Sequence, residues 1–520
     1  MADIVLVNPR FDPSFWGFEH ALPVVGKRAN LPVACLPLLA ALTPEGHDVT
    51  LVDENVETID FARLARADIV GLTGMSVQQD RMREILRELK ARGAFCVVGG
   101  PWVSVSEEAF EGLVETIFVG EAETTWPEFL ADWGAGRHRP RYEQAERTDM
   151  TRVPLPRHDL LKMDRYLFGS VQFSRGCPFQ CEFCDIIITF GRRPRLKSTR
   201  QVVDELEALR RQSMGLVFVV DDNLIGNKEA IKEHLRAIAA WQRQHDYPLI
   251  LTTEASIDLA DDEELMELMT EANFVSVFVG IETPNEASLR ETKKLQNLRG
   301  TRSLVEKVHA IQAAGLEVWC GLIVGFDHDD AGVFELQHSF VEAARISHAM
   351  IGMLAAIPKT PLHARLAADG RLDEAGAADF GTNVIPLGIP RAFLRDGYLA
   401  LLVGLHEPEG WFDRLDRLYL EGRFRFAQPR AAHLRQRPWR RWWAGAADLF
   451  RAAAILLGLM RHVRDPQLRR IYRRRILNLA RRRPEPAVIF AYAVKCLFHY
   501  HQHTFAQEMG SGKSRLVNTI

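Results

Sequence analysis

A chain of 520 residues with a formal net charge of −3, 47% hydrophobic and 26% charged, has the balance of a globular protein rather than a disordered or fibrous one. It is too long for one ordinary core, so about two to three domains are expected. Seven cysteines, three of them clustered, exclude a disulfide framework and favour a reducing, cytosolic compartment.

The N-terminus, MADIVLVNPR, carries Asp3 and no basic segment, so no signal peptide is expected. Five short apolar runs follow: DIVLVNP, HDVTLVDE, ADIVGLTGM, AFCVVGGPW and TIFVGEAE. Helical stretches separate several of them, the clearest being SVQQDRMREILRELKARG. Continuous apolar strands with helical crossovers predict a parallel sheet covered on both faces, an open, doubly wound, Rossmann-like domain over residues 1–134. In that architecture ligands sit beyond the carboxyl ends of the strands. Those ends carry Thr73, Gly74 and Ser76, then Gly99 and Gly100, then Gly120 and Glu121. Small and polar residues suit a cleft that admits a bulky cofactor, although glycines there also serve plain tight turns. The first strand is followed by VNPRFDPSF rather than G-x-G-x-x-G, which argues against a dinucleotide.

Residues 135–168, rich in Pro, Arg and Asp, read as an extended linker. Six further apolar runs then alternate with helical stretches: GSVQFSRG, GLVFVVDDN, LILTTEAS, VSVFVGIET, EVWCGLIVGF and HAMIGMLAAIP. They predict a partial (β/α)6 TIM-type barrel, open on one side, over residues 169–380, with its chemistry at the C-terminal strand ends.

Residues 381–520 read as a mostly helical, Arg-rich C-terminal domain. Between Arg423 and Arg483 arginines outnumber acids and mix with Trp, Tyr, Ile and Leu. Three readings are open: an interfacial helix on anionic lipid, packing on the acidic remainder of the chain, or nucleic acid. No run reaches the roughly 18 apolar residues of a membrane span. AAAILLGLM is too short and AVIFAYAVKCLF is interrupted by Lys495, so no crossing is expected. GSGKS, from Gly510, lacks the first glycine and the preceding strand of a phosphate loop and reads as a frayed terminus.

RGCPFQCEFCD places Cys177, Cys181 and Cys184 in a C-x3-C-x2-C pattern at the end of the first barrel strand. Structural zinc takes four ligands, and a distant His or Cys would have to complete the set. A 4Fe-4S cluster also normally takes four thiolates. Given only three, one iron keeps an open position for a substrate or cofactor. With Arg175-Gly176 ahead of the first cysteine and Phe183 between the last two, CPFQCEFC resembles the radical S-adenosylmethionine (SAM) superfamily. The resemblance implies that SAM chelates the open iron and that residues at successive strand ends grip the rest of it. The implied SAM contacts are Phe183, the VVDDN residues Asp221, Asp222 and Asn223, Glu254 in TTEAS, Glu282 in GIETPN and Gly325 in GLIVGF. Taken singly, acids at strand ends are often only helix caps.

A doubly wound domain ahead of such a barrel resembles the cobalamin-binding branch of the superfamily. The resemblance implies Thr73, Gly74, Ser76, Gly99, Gly100, Gly120 and Glu121 as cobalamin contacts, although the D-x-H-x-x-G motif is absent. SFWGFEHALPVVGKRANLP, CEFCDII, VVDDNLIGNK, GIETPN and IPKTPL resemble a subgroup that contains the hopanoid C-2 methylase. That resemblance implies a C-methyltransferase using a 4Fe-4S cluster, SAM and methylcobalamin on an unactivated carbon of a lipid-like, hopanoid-type or other secondary-metabolite substrate. The chemistry is the cofactors', so no side chain is assigned as catalytic. Members with the same two domains also include non-methylating enzymes such as an oxidative cyclase, and an iron–sulfur redox sensor is the reading outside enzymes. A flavodoxin- or ferredoxin-type electron donor is implied as a partner. The expected location is cytoplasmic, peripheral to the inner face of the membrane through the Arg-rich region, with no nucleic acid partner.

Overall fold

Two parallel sheets carry the chain from Asp3 to Met353, and a helical region follows. The computed structural model describes residues 1–518. The first sheet contains β1 (Asp3–Asn8), β2 (Asp48–Asp53), β3 (Ile69–Thr73), β4 (Cys96–Gly99), β5 (Thr116–Val119) and β6 (Arg141–Glu143), in the order β2-β1-β3-β4-β5-β6. Alternate residues of one strand enter different cores. Val5, Val7, Val70 and Leu72 pack on one face, and Ile4, Leu6, Ile69 and Val97 on the other. Burial on both faces is why β1, β3, β4 and β5 read as unbroken apolar runs.

The sixth strand corrects the linker expectation. β6 lies within residues 135–168 and pairs parallel with β5. Tyr142 is its one buried anchor: its ring stacks on Phe118 with centroids 5.6 Å apart, and its hydroxyl donates to Asp132 at 2.9 Å. Exposed Arg141 and Glu143 flank it, as suits a short edge strand.

The second sheet is formed by β7 (Gly169–Val171), β10 (Leu216–Val219), β11 (Ile250–Glu254), β12 (Phe274–Glu282), β13 (Glu317–Val324) and β14 (Ala349–Met353), all parallel and in chain order. β7 and β14 are its two unjoined edges, so the barrel is open as expected. GSVQFSRG is not one strand. It breaks after Val171, and β8 (Ser174–Arg175) pairs antiparallel with β9 (Arg195–Leu196), clasping the cysteine loop between them.

The C-terminal region is helical, as expected. Pro408, Pro438, Pro466 and Pro486 open four of its helices, where a missing N–H removes no intrahelical bond. The last helix, Pro486–Gly510, packs Leu497 and Phe498 into a core shared with Phe218 of β10 and Trp319 of β13. Part of the arginine excess is internal. Arg475 pairs with Glu409, Asp413 and Asp416, and Arg483 donates to the Tyr419 and Phe424 carbonyls. The membrane expectation needs one correction. The helix Pro438–His462 is long and apolar enough, by length and composition, to cross a membrane. A search for unbroken apolar runs passes over it because arginines and Asp448 interrupt the sequence.

Candidate active site

The cysteine loop is held by the acids that follow β10. Asp221 is buried and accepts from the Phe173 amide at 2.6 Å and the Ser174 hydroxyl at 2.7 Å. Asp222 accepts from the Gly176 amide at 2.8 Å. Gly176 has φ +94°, and a Cβ there would lie 2.9 Å from the Gly191 and Arg193 carbonyls, so the loop entrance admits only glycine. Asn223 donates toward Cys177 Sγ at 3.8 Å and is tied to Ser256 beyond β11; Gln296 donates toward Cys181 Sγ at 3.5 Å. Amide donors aimed at thiolate sulfurs tune an iron–sulfur site. Burial holds the Cys177 and Cys184 thiols above their usual range, Cys181 adds to both, and Lys294 acts the other way.

Sequence reasoning passed over Lys294. It lies in ETKKLQN, a polar stretch that reads as solvated loop, yet it is nearly buried and its ammonium donates to Glu282 at 2.5 Å. Burial lowers its pKa, but Glu282 and the thiols of Cys181 and Cys184 outweigh that and hold it above the usual range. It also stands 5.9 Å from the ring centroid of Phe183, which packs near Phe326. Glu282 itself sits at a register shift in the pairing of β12 with β13, with φ +62°. A non-glycine residue in the left-handed region costs about 1–3 kcal/mol and is held there by its surroundings, here the ion pair with Lys294. Gly325, at φ +103°, follows β13, where Asp329 accepts from its amide and from that of Phe326.

The predicted SAM residues therefore gather around the cysteine loop in two roles. Both carboxylate oxygens of Asp221 are engaged within the protein, so it acts through the loop. Glu254, at the end of β11, is different: among the described residues nothing donates a hydrogen bond to its carboxylate. Burial pushes its pKa up to about 8, with Asp222, Asp221 and Glu282 adding to the rise. A half-buried carboxylate without a hydrogen-bond donor, facing other acids, is a ready acceptor for a cationic ligand.

On the first sheet the strand ends are bare backbone. Gly100 follows β4 with φ +109°, and a Cβ there would lie 2.4 Å from Thr73 Oγ1. Gly120, after β5, donates its amide to Ser104 Oγ at 2.9 Å. Ser76 is exposed beside Met75 and Val77, two exposed apolar side chains, and the buried indole N–H of Trp102 has no partner.

The two sets of strand ends face each other. Glu121 after β5 is 5% exposed, and its carboxylate pairs with Arg175 of β8 at 2.8 Å and Arg195 of β9 at 3.0 Å. Arg175 also meets Glu123 at 2.6 Å. Lys359, after β14, donates to the Ser104 carbonyl at 2.8 Å, and the short helix Pro101–Val105 packs on Ile186–Thr189, just past Cys184. Glu121, predicted as a cobalamin contact, thus has its carboxylate engaged in joining the domains.

The donor sets fit the cofactors. No three His, Cys, Asp or Glu side chains among the described residues gather around one ion position. A cluster spreads its thiolates over separate irons, so three sulfurs around a common cationic neighbour suit it better than mononuclear zinc. Opposite, a glycine-rich surface bordered by small polar and apolar side chains, with an unpartnered indole donor, suits the broad face and amide rim of cobalamin.

Comparison with known proteins agrees. A B12 binding domain model matches residues 30–130, a radical SAM superfamily model residues 171–336, and a domain of unknown function, DUF4070, residues 360–515. The chain is 41% identical to the uncharacterized methyltransferase sll1242 of Synechocystis sp., over 80% of this chain and 78% of that one. It is 36% identical to the hopanoid C-2 methylase of Rhodopseudomonas palustris, over 71% of each. The cobalamin-dependent SAM radical enzyme OxsB, solved with aqua-cobalamin and SAM bound, shares the fold with a TM-score of 0.60 at 14% identity, over 99% of this chain and 81% of that one. The chain belongs to the B12-binding radical SAM methyltransferase family, with a 4Fe-4S cluster, SAM and cobalamin as its cofactors.

Proposed function

We propose that this enzyme methylates an unactivated carbon of an apolar, lipid-like acceptor of the hopanoid type. The observation that carries the reading is the surface beside the cysteine loop. Half-buried Ile186, Ile187 and Ile188 follow Cys184 and abut the helix after β4, while exposed Met75 and Val77 stand at the neighbouring end of β3. An acceptor placed beside this surface would meet isoleucine, methionine and valine side chains, with Ser76 as the hydrogen-bonding group among them. Similarity to hopanoid C-2 and C-3 methylases, at 36% and 27% identity, supports the same acceptor class.

When bound, the cluster, SAM and cobalamin supply the radical and methyl-transfer chemistry that no protein side chain can perform. The chain's own part is placement. Asp221, Asp222 and Gly176 set the cysteine loop, Lys294 and Glu282 form a nearly buried ion pair beside it, and Glu254 offers a carboxyl group without a donor toward SAM. The Arg175–Glu121–Glu123–Arg195 network holds the two sheets in register, and the apolar walls keep out water that would quench a reactive carbon.

The test is anaerobic turnover of the reconstituted enzyme with methyl-deuterated SAM and a total lipid extract, read by mass spectrometry. The expected result is one lipid carrying a single labelled methyl group. A product that is oxidised or cyclised without label, or label confined to polar metabolites, would overturn the reading.

A further inference from the structure

The helix Pro438–His462 carries a continuous exposed apolar face that the catalytic site does not use. Trp439, Trp443, Phe450 and Leu457 are 79%, 65%, 75% and 58% exposed, and Trp442 lies beside them. Spaced by three, four and seven residues, they form one stripe along the helix, continued by Ala446, Ala453 and Ala454. The opposite face is firmly seated. Asp448, Ala452, Ile455 and Leu459 are buried, Asp448 is paired with Arg430 at 2.9 Å, and Gly458 lies so close to Val24 that a Cβ would meet its carbonyl at 2.8 Å. Single exposed apolar residues need no explanation, but a two-tryptophan, phenylalanine and leucine stripe of this length marks an interaction surface.

The surrounding charge selects the partner. Arg441 precedes Trp442, Arg461 and Arg464 close the C-terminal end, and Arg470 and Arg473 follow on the next helix; among the described residues none of these five forms an ion pair. The chain as a whole is slightly acidic, so these unpaired arginines on and after the helix are a local basic concentration near the apolar stripe, with Arg461 on the stripe's own face. Exposed Phe450 and Leu457 suit hydrocarbon and have no use on a phosphate backbone. Tryptophans with arginines beside an apolar face are the composition of a helix lying in the headgroup region of an anionic bilayer.

From these features we infer that this face docks the enzyme on an anionic membrane, with the helix lying in the plane of the interface. The helix does not span. Crossing would strip Ile455 and Leu459 from the core they share with Pro486–Gly510 and would drag the Asp448–Arg430 pair into hydrocarbon. This surface is independent of which acceptor the enzyme methylates.

The experiment is flotation of the full-length protein with phosphatidylglycerol–phosphatidylcholine vesicles and with phosphatidylcholine alone, at low and high salt. No methyl acceptor is needed, so failure here is separable from failure of the proposed reaction. The protein should float with the anionic vesicles and less at high salt. The variant W439S/W443S/F450S, changed only at exposed positions, should lose at least about tenfold in partitioning while keeping its melting temperature and SAM cleavage. Brominated lipid should quench tryptophan fluorescence in the parent and not in the variant. Absent flotation, equal flotation of the variant, or equal binding to neutral vesicles would overturn the inference. So would a concentration-dependent dimer that the variant abolishes, since a second copy would then cover the face.

Discussion

The two parallel sheets meet the cofactor cleft with opposite chemistry at equivalent positions. At the ends of β3, β4 and β5 the first sheet presents glycine, a hydroxyl and bare backbone. At the ends of β10, β11 and β12 the barrel presents Asp221, Asp222, Glu254 and Glu282, with Lys294 buried among them. Both obey the rule that ligands sit at carboxyl strand ends. The difference teaches that the fold fixes where a ligand goes, and the ligand's shape and charge fix what stands there. A broad ring needs room, and side chains would fill that room. A small zwitterion beside a metal cluster needs fixed charges, and these are stable only where each is paired, hydrogen-bonded or driven toward neutrality.

The comparison can be broken at its extremes. Cys184→Ala should abolish activity and cluster absorbance, with iron content falling to background, because a cluster left with two protein thiolates is not retained. Cobalamin should still copurify in full, since that alanine touches only the barrel side. Loss of both cofactors together would show that the two strand-end surfaces do not function separately. Arg175→Ala acts on the joint between them. It removes the cation paired with Glu123 and leaves Arg195 as the cation paired with Glu121, with only Thr148 still donating to the two carboxylates in a largely buried setting, and should cost about 3 kcal/mol in denaturant unfolding. Retention of parental stability would mean that water enters the joint and compensates. On the cobalamin side, Gly100→Ala combines a positive φ with a Cβ 2.4 Å from Thr73 Oγ1. It should cost about 2 kcal/mol and lower the cobalamin-to-protein ratio measured by absorbance, leaving iron unchanged.

Much of this division was legible in the residue order. All six barrel strands and the first five strands of the N-terminal sheet appear as apolar runs because most of their positions are buried, β2 at the sheet edge being the partly exposed exception. The cysteine spacing is local and survives any uncertainty about tertiary structure. What escaped depends on distant partners. Lys294 looks like a solvated lysine until Glu282 and the cysteine loop are folded around it. Glu121 looks like a ligand contact until Arg175 and Arg195, on the hairpin around the cysteine loop, close on it. β6 has one apolar residue to show, and the exposed stripe of Pro438–His462 is split by arginines in the linear order. Burial of a charge and exposure of an apolar face are both tertiary facts that no short window contains.

The subtlest distinction lies within the barrel's own acids, between those that hold the loop and the one left for a ligand. If Glu254 accepts as a carboxylate from the cationic SAM molecule, its proton must first leave. Its pKa of about 8 in the ligand-free protein then makes binding pH-dependent. Raising the pH toward 8 removes the proton that SAM must otherwise displace, so affinity should climb across that range and level off above it. Glu254→Gln cannot ionise and should bind SAM about tenfold more weakly above pH 8, the loss of one charge-assisted hydrogen bond, with the pH slope flattened. Titration of SAM into the reconstituted protein by calorimetry measures both. Asp222→Asn is the control that separates the roles: its bond to the Gly176 amide is structural, so it should loosen the cysteine loop and lower iron retention while leaving the slope due to Glu254 in place. If instead the slope follows Asp222 and survives in Glu254→Gln, the acid facing SAM is the one after β10, and Glu254 is held near neutrality for packing alone.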